Sequence, residues 1–195
     1  MKIYILGVGA LGSNIAMNLA FDRRDDKLVL VDFDEVEARN YQFGTQQYLP
    51  AQNGLDKVDA LKFNIYQIAG NSKVESKNTK VQEGFLGTEK PKDILFVDCL
   101  DNYEAREYIR DNAKYYKIDC LHAGFSPQMT FACEWNEDYR TYDDLKTDFD
   151  ICEAEGARSF IQYVSGVTTN IIIDYLEKGE KKNCVGNRYS IQEIK

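Results

Sequence analysis

The chain carries a single histidine, His122, and its five cysteines nowhere form a CxxC pair. One histidine leaves little room for a Cys–His or Ser–His–Asp catalytic arrangement. Cys99, Cys120, Cys133, Cys152 and Cys184 are odd in number and scattered, which argues against a four-thiolate zinc site and a disulfide framework and fits a reducing, cytoplasmic setting. No apolar run approaches the ~18 residues that span a bilayer. The start is not a signal peptide either, because the short apolar run Ile3–Leu6 passes straight into glycines. Positive charge is also scarce: the formal net charge of −8 argues against non-specific nucleic-acid binding, so a polyanionic ligand would need cations gathered locally. What remains, 195 residues with 44% hydrophobic and 29% charged side chains, reads as one soluble globular domain, residues 1–195, with a sizeable core.

The first 34 residues set the organisation. The apolar run ends at Gly7, glycines follow as Gly7-x-Gly9-x-x-Gly12, and a helical segment takes over. A second apolar run, Leu28–Val31, ends in Asp32, 20 residues after Gly12. Gly7 lets the chain turn out of a strand, Gly9 lets backbone approach a phosphate, and Gly12 lets helix and strand pack closely. The helix N-terminus then offers free N–H groups to an anion, and Asp32 can accept from ribose hydroxyls. A nucleotide is expected, and the glycine loop by itself suits a dinucleotide as well as ATP.

Periodicity predicts strands at Ile3–Leu6, Leu28–Val31, around Val74, at Asp93–Asp98, at Ile118–His122 and at Asn187–Ile194, with Gln128–Trp135 running back antiparallel. Helices are predicted at Ala10–Phe21, Lys57–Ala69, Asn102–Tyr116 and Ser159–Leu176, the last apolar over much of its circumference and so mostly buried. Asp34–Pro50 reads as a long functional loop, Gly84–Gly87 as a loop and Asn136–Asp150 as a flexible crossover. Strands alternating with helices give an α/β, doubly wound, Rossmann-like and mostly parallel sheet with an antiparallel C-terminal part.

Beyond the glycine loop, Val31-Asp32-Phe33-Asp34, Asn40, Gly54-x-x-Lys57, Val97-Asp98-Cys99-Leu100-Asp101-Asn102 with Arg106, and finally Cys152-Glu-Ala-Glu-Gly156 and Val164-Ser-Gly-Val-Thr-Thr follow in fixed order. In this ordered set the chain resembles the ThiF/MoeB family, the adenylating enzymes related to the ubiquitin-activating enzymes. The resemblance implies ATP- and magnesium-dependent activation of a C-terminal carboxylate, that of a small ubiquitin-fold carrier protein or a peptide, as an acyl adenylate. It also implies a possible homodimer. It places Gly7, Gly9, Leu11, Gly12, Asp32 and Asp34 at the nucleotide, Asn40 and Lys57 on the phosphates and Asp101 on magnesium, a hard cation that prefers carboxylate oxygen. Cys152 matches the cysteine that carries an acyl group or sulfur in some members and is dispensable in others.

Each assignment has a plainer counterpart. Lys57 could be a solvated lysine, Asn40 a turn residue, and Asp101-Asn102 a helix N-cap. Arg106 reads as structural or solvated, and His122 as a buried, hydrogen-bonded histidine rather than a base. Cys99, Cys120 and Cys133 read as core. Around Cys152 the acids Asp148, Asp150, Glu153 and Glu155 disfavour a thiolate, with only Arg158 to oppose them. The sequence also departs from the family. Phe43 and Gly44 stand where an arginine and a glutamine are expected, with Arg39 as a possible substitute. The chain starts directly at the first strand, so the arginine of the family's N-terminal helices is expected to be absent. Adenylation therefore competes with a non-catalytic, nucleotide- or partner-binding module. An NAD-dependent oxidoreductase, resting on the glycine loop and Asp32 alone, is a lesser alternative.

Overall fold

The computed structural model of the chain describes residues 1–71, 73–85, 93–140 and 151–194. The expectations for Gly84–Gly87 and for the crossover fall largely on residues outside these ranges, as do Asp148 and Asp150. The elements run β1 (Lys2–Leu6), α1 (Ala10–Asp22), β2 (Lys27–Asp32), α2 (Ala38–Gln42), α3 (Lys57–Ala69), β3 (Val74–Asn78), β4 (Ile94–Asp98), α4 (Tyr103–Tyr116), β5 (Asp119–Phe125), β6 (Thr130–Trp135), α5 (Ala157–Lys178), β7 (Asn183–Asn187) and β8 (Ser190–Ile194). All eight strands join one sheet in the order β3-β2-β1-β4-β5-β6-β7-β8. The first five are parallel, and β6, β7 and β8 return antiparallel. The order reverses between β1 and β4, which opens a crevice at the carboxyl ends of the strands.

The parallel strands bury both faces. On one face Ile3, Ile5, Leu28, Leu30, Leu95 and Val97 pack with residues of α1, α3 and α5. On the other, Leu6, Val29, Val31 and Phe96 meet Ala105, Ile109 and Ala113 of α4. Each fully buried branched side chain contributes about 1.5–3 kcal/mol. Nine of the 13 residues of α1 are buried because it is wedged between the sheet and α5, so its polar residues need partners. Asn14 Nδ2 donates to Thr45 O at 2.9 Å, Ser13 Oγ accepts from Gln47 N at 3.3 Å, and Asn18 Nδ2 donates to Thr169 Oγ1 at 3.3 Å.

The structure corrects three expectations. Asn187–Ile194 is not one final strand: a β7–β8 hairpin turns at Arg188-Tyr189, where Asn187 Oδ1 accepts from the N–H groups of Tyr189 and Ser190. The loop from Asp34 to Pro50 contains the short helix α2 and is closed at its base, where Val36 N donates to Leu55 O and Gly54 N to Val36 O, both at 2.8 Å. The last helix is buried along one side only, with Ser159, Gln162 and Asn170 facing outward. Among the described residues no helix is long and apolar enough to cross a membrane.

Candidate functional site

The crevice at the β1/β4 reversal is a cleft of about 950 Å³. Gly7, Gly9, Leu11, Asp32, Asp34, Asn40, Lys57, Asp101 and Cys152 all line it, so one site gathers nearly every residue singled out in the sequence. Gly12 does not. It lies where α1 crosses β1, and a Cβ there would stand 1.9 Å from Gly7 O. At Gly7, φ is +83° and a Cβ would meet Cys99 O at 2.9 Å, whereas a Cβ at Gly9 would find no atom within 4 Å. Gly9 therefore faces open space at the N-terminus of α1, where as the cap residue it has no side chain to bond the first-turn N–H groups.

Asp32 organises this end. Its Oδ2 accepts from Val8 N at 2.8 Å and its Oδ1 from Asp34 N at 2.9 Å, joining the glycine loop to the tip of β2. Burial raises its carboxyl above the ordinary 3.8, an effect that these backbone N–H groups and Lys57 only partly offset. Tyr48 braces the loop from the other side by donating to Val8 O at 2.7 Å, and burial pushes its phenol well up.

Closure of the 34–56 excursion brings Lys57 back to Asp34. The backbone N of Lys57 donates to Asp34 O at 2.9 Å and its Nζ to Asp34 Oδ2 at 2.8 Å. The lysine side chain is only 9% exposed, against 47% for Asp34, so Lys57 is not a solvated surface lysine. Asn40 is buried and serves α2, its Oδ1 accepting from Glu37 N at 2.8 Å, while it also lines the cleft. Arg39 pairs with Glu37 at 2.8 Å on the exposed side.

At the end of β4, Asn102 is the N-cap of α4, accepting from Ala105 N at 2.8 Å. Asp101 is thereby left uncapped, exposed and facing the cleft. Beneath it lies a network of residues that are scattered in the sequence. Asp98, fully buried, meets His122 Nδ1 at 2.7 Å through Oδ2 and accepts from Leu100 N at 3.0 Å through Oδ1. His122 Nε2 faces Asn136 Oδ1 at 2.8 Å, and the ring stacks on Tyr139 with centroids 3.7 Å apart. Arg106 donates to Leu100 O, to Ala123 O at 3.0 Å and to Tyr139 OH at 3.2 Å. Leu100 is thus held by both its N–H and its C=O, which fixes the loop presenting Asp101. Burial alone would raise the Asp98 carboxyl, yet the Arg106 charge and the His122 hydrogen bond hold it below the usual carboxylate range. In return, Asp98 holds the Arg106 guanidinium above its ordinary value despite burial.

The signal for this network is an acid and a lone histidine inside apolar strand runs; in register Asp98 pairs with His122. Cys120 and Cys133 are core, but Cys99 lies beyond the strand and lines the cleft, with burial pushing its thiol up. Cys152, in a 3₁₀ turn before α5, is half-buried at the cleft wall. Phe43 ends α2, 38% exposed, and is not among the residues lining the cleft. Among the described residues no three His, Cys, Asp or Glu side chains cluster as a metal site.

The chain and its fold have relatives. A molybdopterin-synthase adenylyltransferase of Haemophilus influenzae is 31% identical over 122 residues, covering 62% of this chain and 49% of the relative. A ubiquitin-like modifier-activating enzyme 5 of Drosophila willistoni is 29% identical over 136 residues, covering 64% of this chain and 33% of the relative. The chain therefore spans about half the length of the first and a third of the second. Among solved structures, E. coli MccB with ATP matches with a TM-score of 0.77 at 14% identity, over 99% of this chain and 63% of that one. PaaA matches with a TM-score of 0.73 at 19% identity, over 100% of this chain and 72% of that one. At such identities the likeness is one of fold. The whole chain, residues 1–195, matches the ThiF family, with the glycine loop, Asp32, Lys57 and Asp101 on one cleft; the chain belongs to that family.

Proposed function

We propose that the chain is an ATP-dependent adenylyltransferase that activates the C-terminal carboxylate of a small ubiquitin-fold carrier protein or a peptide. One observation carries the reading: an open helix N-terminus, a lysine with a buried stem and an uncapped aspartate converge on one cleft, with an acid at the adenosine end. Asp32 accepts from the ribose through the lone pairs its two backbone donors leave free. The N–H groups around Gly9 and the first turn of α1 cradle phosphate, and Lys57 and Asn40 donate to it. Asp101 would hold magnesium, which commonly takes one or two protein carboxylates beside substrate phosphates, so a lone carboxylate fits. Such an ion would supply charge neutralisation at the phosphates. The carboxylate attacks the α-phosphorus, the bond to the pyrophosphate oxygen breaks, and an acyl adenylate and pyrophosphate result. The protein's part is positioning and charge stabilisation. Cys152 lines the cleft, where its thiolate would attack the acyl carbon of the adenylate to form a thioester with release of AMP.

Pyrophosphate–ATP exchange tests this directly. With magnesium and a panel of carrier proteins and peptides, exchange is expected in wild type and is abolished by Lys57→Ala and by Asp101→Ala. Tight ATP binding with no exchange for any carrier favours a second reading, a nucleotide- or partner-binding module without turnover. The uncharged Phe43 and the pairing of Lys57 with Asp34 support that reading. Phe43→Arg then raises exchange above background. Strong NADH binding without ATP binding in a fluorescence titration would instead point to the oxidoreductase reading.

A further inference from the structure

Among the described residues, eight aspartate, glutamate, lysine and arginine side chains line the cleft. Lys57 and Asp34 pair with each other, Arg39 pairs with Glu37, and Arg106 donates to two carbonyls beside the Asp98 charge. Lys80, exposed, stands over the Phe33 ring, 5.7 Å from its centroid. Asp32 accepts from two backbone N–H groups, and Asp101 is the proposed magnesium ligand. Glu134 alone has no partner and no part in that reading. It is half-buried in β6 and makes no hydrogen bond or ion pair among the described residues. Burial lifts its carboxyl above the ordinary 4.5, a rise that His122 and Arg140 only partly offset. A carboxylate drawn out of water without a partner is costly, so the site favours a ligand that brings a cation.

The sheet shows what would reach it. Alternate residues of a strand share a face, and the register sets Gly124, Ala132, Val185 and Gln192 side by side across β5, β6, β7 and β8, all on the cleft. Glu134 follows on the same face of β6, two residues after Ala132 and in register with His122. The four residues of the row are uncharged, so a segment laid across it meets Glu134 as the nearest acid of β6. The ends of β2 and β3, with Asp32, Phe33 and Lys80, lie on the other side of the β1/β4 reversal and belong to the nucleotide in the reading above. A second substrate therefore has the antiparallel side left to it. A chain that enters over β8 and ends near Asp101, after β4, crosses the strand that carries Glu134.

We infer that Glu134 receives a lysine or arginine side chain from the segment that leads to the activated carboxylate, so that the substrate is one with a basic C-terminal tail. This rests on the adenylation reading above and narrows its substrate class. The test is fluorescence anisotropy with short labelled peptides that end in a free carboxylate and carry arginine, alanine or glutamate at each position before it in turn. Wild type, Glu134→Gln and Glu134→Lys are compared, with ATP affinity measured by calorimetry. In wild type the best arginine peptide is expected to bind about tenfold tighter than its glutamate counterpart, between the value of an exposed ion pair and that of a buried charge-assisted hydrogen bond. Glu134→Gln abolishes the preference, and Glu134→Lys reverses it, which a damaged fold would not do. A preference that survives in Glu134→Gln overturns the inference. So does a wild type that binds ATP but prefers no arginine peptide or binds none of the peptides, and either result leaves the nucleotide reading standing. A loss of ATP affinity in Glu134→Gln equal to its loss of arginine peptide also overturns it, as a structural effect. A wild type that binds no ATP removes both.

Discussion

Replacing Asp98 by asparagine keeps the shape of the network under the Asp101 loop and removes the charge on which it is centred. Asp98 is fully buried and is met by His122 Nδ1 at 2.7 Å and Leu100 N at 3.0 Å, with the buried Arg106 guanidinium nearby. Removing one member of a buried ionic arrangement costs about 3–5 kcal/mol, because the other charge stays behind unpaired. The amide retains one acceptor oxygen, so the lower figure, about 3 kcal/mol, applies. Unfolding entropy of about 2.1 cal/mol/K per residue gives roughly 0.4 kcal/mol/K for 195 residues, hence a Tm lowered by about 7 °C. Calorimetry at pH 7 measures it. The pH dependence follows from the depressed carboxyl: its stabilisation is complete above the unfolded value of about 3.9 and is lost only as pH falls through the lower folded value. The gap between wild type and Asp98→Asn therefore persists at pH 5. A Tm drop under about 2 °C, or curves that coincide already at pH 5, would refute the reasoning.

The two inner glycines separate stability from binding. Gly12→Ala, whose methyl would lie 1.9 Å from Gly7 O, is expected to yield no soluble folded protein, while Gly9→Ala unfolds within about 2 °C of wild type and binds ATP more weakly. Tyr48→Phe leaves the Val8 carbonyl without its buried donor; a loss of about 1–3 kcal/mol, read by urea unfolding, is expected. For Asp32 the sign is opposite to that of Asp98. Burial raises its carboxyl above 3.8, so adenosine affinity falls on acidification before an ordinary aspartate would protonate. An affinity flat down to pH 4 contradicts a ribose contact by this carboxylate.

The parallel half of the fold was legible because its signals are local. The glycine spacing, the buried apolar runs and the helix end at Gly70 each follow from backbone chemistry within a few residues. Lys57–Ala69 matches to the residue. The hairpin was not legible, because β7 contains Gly186, whose place is set by a distant ring: a Cβ there would meet Phe131 at 2.6 Å. Helix α2, five residues long, is too short for a period. At the site, the residues that face the cleft from element ends could be named in advance. The clamp of Asp98, His122 and Arg106 could not, since only parallel pairing of β4 with β5 sets Asp98 beside His122.

The pairing of Lys57 with Asp34 gives the cleft a resident counter-anion. An ammonium with a buried stem is kept dry and aimed by a carboxylate that is itself half in water. If the cleft takes a nucleotide as proposed, an arriving phosphate would compete with Asp34 for an already desolvated lysine, exchanging one ion pair for another. Association therefore changes the net pairing by one charge fewer than a count of cations implies, and its dependence on ionic strength should be correspondingly shallow. On that reading Asp34 would act as a removable stopper, and its pair with Lys57 would set how strongly a ligand must compete for the ammonium.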